Sequence, residues 1–236
     1  MFAPGAAVAA GVLAAVALGQ EGGPIQMTAT VRVKPNEAGT PSRPRGIEIV
    51  AQGTIDVPPD TARPVARSFD VWLPKGWVYN GAKHPVCALA TLNAKGPGAC
   101  PPESIMGHGE LGRRDPGIAY PAVVRRNLTV VNGGANKMYF WVMLSIPARV
   151  QAAIPGTVTK VNSSRWSYRL HADNPSSLQI VSGIPVTLNY LYARFGRGDW
   201  IATTSCPRDR LWRYRLRMTS TSGHVLETDG SVPCRS

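Results

Sequence analysis

The chain has 236 residues, 44% of them hydrophobic and 17% charged, and 26 Lys plus Arg against 14 Asp plus Glu give a formal net charge of +12. That length fits one well-packed domain, or at most two small ones. The composition is too apolar for a disordered chain, too low in charge for a coiled coil and without the glycine period of collagen. No interior stretch approaches the roughly 20 apolar residues of a membrane helix.

Residues 1–19 read MFAPGAAVAAGVLAAVALG, an apolar run that ends in small residues at Ala17 and Gly19 and gives way to the polar Gln20, Glu21, Gly22 and Gly23. This predicts a secretory signal peptide. Its n-region reads as atypical or truncated: no Lys or Arg precedes the apolar core, so only the α-amino group could supply the positive charge. Residues 20–26 are expected to be a disordered mature N-terminus, and 27–236 the folded domain. Cysteine usage points to the same compartment. Four cysteines, Cys87, Cys100, Cys206 and Cys234, each lie within two residues of a proline, which places them in loops or at strand ends. Three pairings are formally open. The local one, Cys87–Cys100 with Cys206–Cys234, closes two self-contained segments and is the expected framework. A zinc site is the alternative, but no CxxC or paired-histidine spacing accompanies these cysteines. A secreted or envelope-associated protein follows, with no transmembrane span in the mature chain.

In chain order, strict apolar alternation predicts strands through Met27, Ala29, Val31 and Val33, through Ile47 to Val57, and from Val65 to Leu73. The region from Pro74 to Gly117 is dominated by turn signals, with one short apolar run, Val86 to Leu92, of one or two helical turns. Gly107, Gly109 and Gly112 do not match a dinucleotide-binding fingerprint and read as close-packing positions or a bulge. Val123–Val131 and Lys137–Ile146 flank Asn132-Gly133-Gly134-Ala135-Asn136, a hairpin signal. Further strands are predicted at Ala148–Ile154, Gly156–Val161, Arg165–Ala172, Leu178–Ile184, Val186–Tyr192, Trp200–Ser205, Leu211–Thr219 and Val225–Val232. The expected fold is all-β: a single-domain antiparallel β-sandwich, jelly-roll-like, with a disulfide-closed loop region.

No nucleophile elbow, zinc-protease helix or phosphate loop is present. The histidines, His84, His108, His171 and His224, are scattered; His108 stands out between Gly107 and Gly109 with Glu110 beside it, although a structural role is the commoner one. A pair of carboxylates across a cleft would suit glycoside hydrolysis, with Asp56, Asp60, Asp70, Glu103, Glu110, Asp115, Asp173, Asp199 and Asp209 as candidates. No catalytic residue, metal or cofactor is assigned, and a non-enzymatic protein is expected.

The surface charge is more informative. Leu211 to Met218 reads LWRYRLRM, so a strand there sets Arg213, Arg215 and Arg217 on one face, about 7 Å apart. Arg208 and Arg210 are expected to extend this basic ladder, with Arg113-Arg114 and Arg125-Arg126 as further pairs. Such a stripe could follow a polyanion; the plainer reading is a solvated outer face. Trp72, Trp77, Tyr79, Trp166, Tyr168 and Trp200 are candidates for a glycan platform, although core aromatics are commoner. Asn127-Leu-Thr and Asn162-Ser-Ser match the glycosylation sequon.

The segments Leu73-Pro-Lys-Gly, Tyr79-Asn-Gly-Ala-Lys, the Cys87-to-Cys100 loop, Val131-Asn-Gly-Gly, Ile146-Pro-Ala-Arg and Gly198-Asp-Trp-Ile-Ala-Thr-Thr-Ser-Cys-Pro together resemble secreted actinobacterial-type proteins of unknown function. The resemblance implies an exported, disulfide-containing β-protein and carries no activity. The expectation is an exported, non-catalytic envelope or extracellular protein that binds an anionic cell-wall polymer or glycan, and not nucleic acid. The alternatives are a secreted carbohydrate-active hydrolase and a structural or assembly subunit of the cell surface.

Overall fold

A computed structural model describes residues 24–113 and 126–235. The expected signal peptide, Arg114, Asp115 and Arg125 lie outside the described residues. In chain order the strands are β1 (Gln26–Lys34), β2 (Arg45–Gly46), β3 (Glu48–Asp56), β4 (Ala66–Pro74) and β5 (Trp77–Tyr79), followed by helix α1 (Leu89–Lys95). Then come β6 (Ile105–Gly112), β7 (Leu128–Gly134), β8 (Lys137–Leu144), β9 (Val150–Lys160), β10 (Trp166–Asp173) and α2 (Ser176–Gln179). The chain finishes through β11 (Ile180–Val181), β12 (Ile184–Pro185), β13 (Tyr190–Phe195), β14 (Ile201–Thr203), β15 (Leu211–Ser220) and β16 (Val225–Pro233).

The all-β, antiparallel expectation holds. Eleven strands form one continuous sheet in the order β1-β3-β13-β6-β7-β8-β9-β10-β4-β15-β16. It wraps until β1 and β16 meet, so opposite walls of the nearly barrel-like fold belong to one sheet. Every neighbouring pair is antiparallel, and an odd number of strands then makes the two edge strands run the same way. An antiparallel ladder cannot close the seam. It is closed by other means: a parallel bridge between Glu37 and Arg235, and the Tyr214 hydroxyl, which donates to Ala29 O at 3.0 Å. Gly230 on β16 lies against the Tyr214 ring, where a Cβ would collide with it, so the missing side chain lets Tyr214 reach across.

The alternation seen in the sequence fills the interior. Val33, Ile49, Val130, Met138, Val158, Leu170, Trp212 and Val232 come from strands all around the wall and form one core. The three-stranded sheet β2-β14-β5 closes one end, adding Trp77, Tyr79 and Ile201 to that core. A second cluster, which includes Leu144, Leu178, Val181 and Val186, fills the other end beneath α2 and the β11–β12 hairpin. Asn132 is fully buried, and its Oδ1 accepts from Trp200 Nε1 (3.0 Å), Tyr79 Oη (3.3 Å) and Gly134 N (3.2 Å). Its Nδ2 donates to Gly81 O, His84 O and Pro85 O at 2.9–3.1 Å, so one amide ties the end sheet to the β7–β8 hairpin and the disulfide loop.

Both expected disulfides form, Cys87–Cys100 and Cys206–Cys234. The first anchors α1 against the outer face of β8 and β9 through Leu92, Val131, Tyr139 and Trp141. Gly96, at φ +72°, ends that helix. No helix among the described residues is long and apolar enough to cross a membrane.

Four predicted elements differ. Ala148–Ile154 and Gly156–Val161 are one strand, β9, because Pro155 lies where β10 no longer pairs and its missing N–H removes no ladder bond. The Leu178–Ile184 strand is instead a turn of helix and a tight hairpin. The strand expected at Val186–Tyr192 is displaced to β13. The Pro74–Gly117 region holds two strands, β5 and β6. In β6, Gly107 and Gly109 face inward against the backbone of β13, Gly107 beneath Phe195, and a bulge falls between Ile105 and Gly107, which is the close-packing role expected of these glycines.

Candidate functional site: the outer face of β10, β4, β15 and β16

The four adjacent strands β10, β4, β15 and β16 set their polar side chains outward in register. One cross-strand row is Arg169, Trp72, Arg215 and Asp229; the next is His171, Asp70, Arg217 and Glu227. Neighbouring strands stand about 4.8 Å apart, so these side chains touch across the rows. The guanidinium carbons of Arg169 and Arg217 lie 5.5 and 5.2 Å from the Trp72 ring centroid, both within cation–π range. Asp70 is buried, and its Oδ1 accepts from Arg169 Nε and pairs with His171 Nδ1, each at 2.8 Å. The other ring nitrogen of His171 lies 3.3 Å from Asp173.

The basic ladder is therefore present but internally neutralised. Arg215 holds Asp229 through Nε (2.7 Å) and Nη2 (2.9 Å) and reaches Glu227 at 3.2 Å. Arg217 pairs with Glu227 at 2.7 Å, and Arg213 with Asp209 at 2.7 Å. Three ladder arginines meet an equal number of carboxylates. The Arg215 guanidinium holds the Asp229 carboxyl below its usual range, and Arg213 does the same for Asp209. Arg208 and Arg210 do not extend the strand. They lie exposed in the turn before β15, where Arg210 N donates to Pro207 O and Arg210 takes φ +56°.

Beyond the last β4–β15 pair, Arg215 with Trp72, β4 leaves the sheet at Pro74 while β15 continues to Leu211. A recess of about 250 Å³ opens there, lined by Arg165, Trp166, Arg213, Asp229 and Ser231 among others. Trp166 reaches it through a bulge: the β10–β4 register slips between Trp166 and Tyr168, so Ser167 is an extra residue. Without the slip, Trp166 would share the inward parity of Tyr168 and Leu170. The bulge turns it outward instead. Ser163 Oγ accepts from Arg165 N (3.1 Å) and Trp166 N (3.3 Å), fixing the turn that presents them. The Arg165 guanidinium lies 5.8 Å from the Trp166 centroid.

The remaining candidates divide by burial. Trp77, Tyr79 and Trp200 belong to the core, and Tyr168 packs against it, so these four are not platforms. Burial pushes the Tyr79 phenol far above its usual range, and its hydroxyl donates to Lys137 O at 2.6 Å. His84 is held by Asp199 at 3.0 Å. His108 faces out between Arg194 and Thr129; partial burial and the charge of Arg126 lower its pKa. Asp70 and Glu227 flank Arg217 on an open face rather than across a cleft. Glu227 and Asp229, absent from the candidate acids above, are brought to the site by the β15–β16 hairpin. Arg-x-Arg facing Glu-x-Asp across a Ser-Gly-His turn is the signal that could have found them. Asn127 of the first sequon is buried and exchanges hydrogen bonds with Leu111 N and O at 2.7 and 2.8 Å, whereas Asn162 is exposed. No cluster of metal-binding side chains occurs among the described residues.

Compared with family models, with curated proteins and with solved structures, the chain gives no match.

Proposed function

We propose that this protein is an exported, non-catalytic surface binder whose outer face of β10, β4, β15 and β16 holds an anionic or glycan polymer of the cell envelope. The observation that carries the reading is the Arg169–Trp72–Arg217 stack on a rigid antiparallel sheet, an aromatic ring flanked by guanidinium groups. Such a surface offers hydrogen-bond donors and a flat apolar edge together, which suits hydroxyl-rich chains. Two disulfides fit an oxidising compartment and support export. The resemblance to secreted actinobacterial-type proteins points the same way.

The pairing of the ladder refines the electrostatics. A polyanion gains little from Arg215 and Arg217 while Glu227 and Asp229 occupy them, so binding draws on few unpaired cations and weakens only gently with salt. Co-sedimentation of the domain with purified cell-wall material across a salt series tests this. Retention at low salt with a shallow loss is expected, and Trp72→Ala, which removes the ring that both guanidinium groups flank, should bind less. Failure to co-sediment at the lowest salt contradicts the reading.

A further inference from the structure

Resting on the envelope-binding reading, we infer that the recess beside Trp166 is a subsite for one carboxylate-bearing sugar residue of an acidic polysaccharide. Its size comes first. A volume of about 250 Å³ lies just below the roughly 300–1,000 Å³ of pockets for drug-sized molecules. A half-open recess of that size has room for a single sugar ring of a chain that passes over an open face.

Its chemistry comes second. Trp166 is aromatic, half-buried, and carried onto the outer face by a bulge, a distortion that regular pairing with β4 would remove. Its ring supplies the apolar surface against which the C–H face of a pyranose stacks. Arg165 is exposed and forms no ion pair among the described residues, while Arg213 is half-exposed and spends one nitrogen on Asp209. Both therefore keep N–H groups for a carboxylate. Asp229 stays ionised under the influence of Arg215 and Arg165, so an acceptor for ring hydroxyls stands on the opposite wall. Arg165, Arg213 and Arg215 against Asp209 and Asp229 leave one positive charge in excess, which favours an acidic sugar over a neutral one.

The turn that carries the pair is built as a unit. Ser163 Oγ caps both backbone amides, Lys75 N donates to Arg165 O at 3.0 Å, and Lys75 Nζ donates to Ser163 O at 3.0 Å. This holds Arg165 and Trp166 on a fixed support before any ligand arrives, which lowers the ordering cost of binding.

The test is isothermal titration calorimetry of the domain with oligogalacturonate and, separately, with a neutral malto-oligosaccharide of equal length. The wild-type chain should prefer the acidic oligomer. Trp166→Ala should weaken it at least tenfold, and Arg165→Gln and Arg213→Gln should each weaken the acidic oligomer several-fold, and by more than they weaken the neutral one. Circular dichroism confirms folding, and the two Arg variants keep the test open if Trp166→Ala is unstable. If oligogalacturonate binds equally to the wild type and all three variants, the recess is not the subsite, although the broader reading stands. If neutral and acidic oligomers bind alike, the acidic-sugar assignment fails. If neither binds at low salt, the subsite and the reading beneath it both fail.

Discussion

Arg215 and Asp229 face each other across β15 and β16 in a two-point ion pair, Nε to Oδ1 at 2.7 Å and Nη2 to Oδ2 at 2.9 Å. This relationship turns a stripe that looks basic in one dimension into a balanced face in three. The pair is exposed enough for solvent to screen it. Removing it with Arg215→Gln should cost no more than about 1 kcal/mol, and high salt should shrink the difference. Urea unfolding at two ionic strengths measures both.

The same pair has a pH signature. Asp229 is held below its ordinary value by Arg215, and a carboxyl with a depressed native pKa adds stability above its unfolded pKa of about 3.9. That contribution is lost as pH falls through the lower native value. Carbon-detected NMR titration should place the Asp229 carboxyl below the usual range, and in Arg215→Gln it should move up toward it.

His108 should titrate in the opposite sense to a paired histidine. Burial and Arg126 disfavour its cation, so its midpoint falls below the ordinary ~6.5. A histidine with a lowered native pKa withdraws stability as pH drops below the unfolded value. Arg126→Gln should raise the midpoint, as followed by imidazole proton shifts.

Asn132 is expected to be the most sensitive polar position in the core. Asn132→Ala leaves the buried Trp200 indole N–H without its acceptor and takes a donor from the carbonyls of Gly81, which keeps His84 N, and of the part-buried His84 and Pro85. At about 1–3 kcal/mol for the unsatisfied indole and less for each part-buried carbonyl, the loss should exceed about 2 kcal/mol. Denaturant unfolding should show a lower midpoint with an unchanged slope.

Glycines separate cleanly by environment. Gly107→Ala drives a Cβ into Arg194 O and Phe195, whereas Gly98→Ala meets nothing within 4 Å. The first substitution should destabilise by more than about 2 kcal/mol, as overpacking does, and the second should be close to neutral. Thermal melts of the two variants side by side decide this.

These contrasts also mark what the sequence could reveal. β1, β3, β15 and β16 are legible because one face is mostly apolar and the other mostly polar. β6 is illegible because two of its inward positions, Gly107 and Gly109, are glycines that bury backbone against β13, and the bulge before them breaks the apolar period between Met106 and Leu111. β9 reads as two strands because the cost of a proline depends on whether a neighbour pairs at that residue, a fact of topology. The local disulfide pairing was legible, since short loops close without help from the rest of the fold. At the site, the arginine ladder was visible but its neutralisation was not, because that requires the β15–β16 register. Trp166 was one of several exposed-aromatic candidates; only the bulge distinguishes it from Trp77 and Trp200, which fill the interior.

The central claim is that the outer face of β10, β4, β15 and β16 contacts an acidic glycan. The most direct measurement is an amide and indole chemical-shift map of the labelled domain during addition of oligogalacturonate. The account predicts shifts concentrated at Trp72, Trp166, Arg169 and Arg213 through Arg217, with Asp229 to Ser231 following. Absence of shifts at low salt, or shifts confined to the opposite wall at β1, β3 and β13, would contradict it.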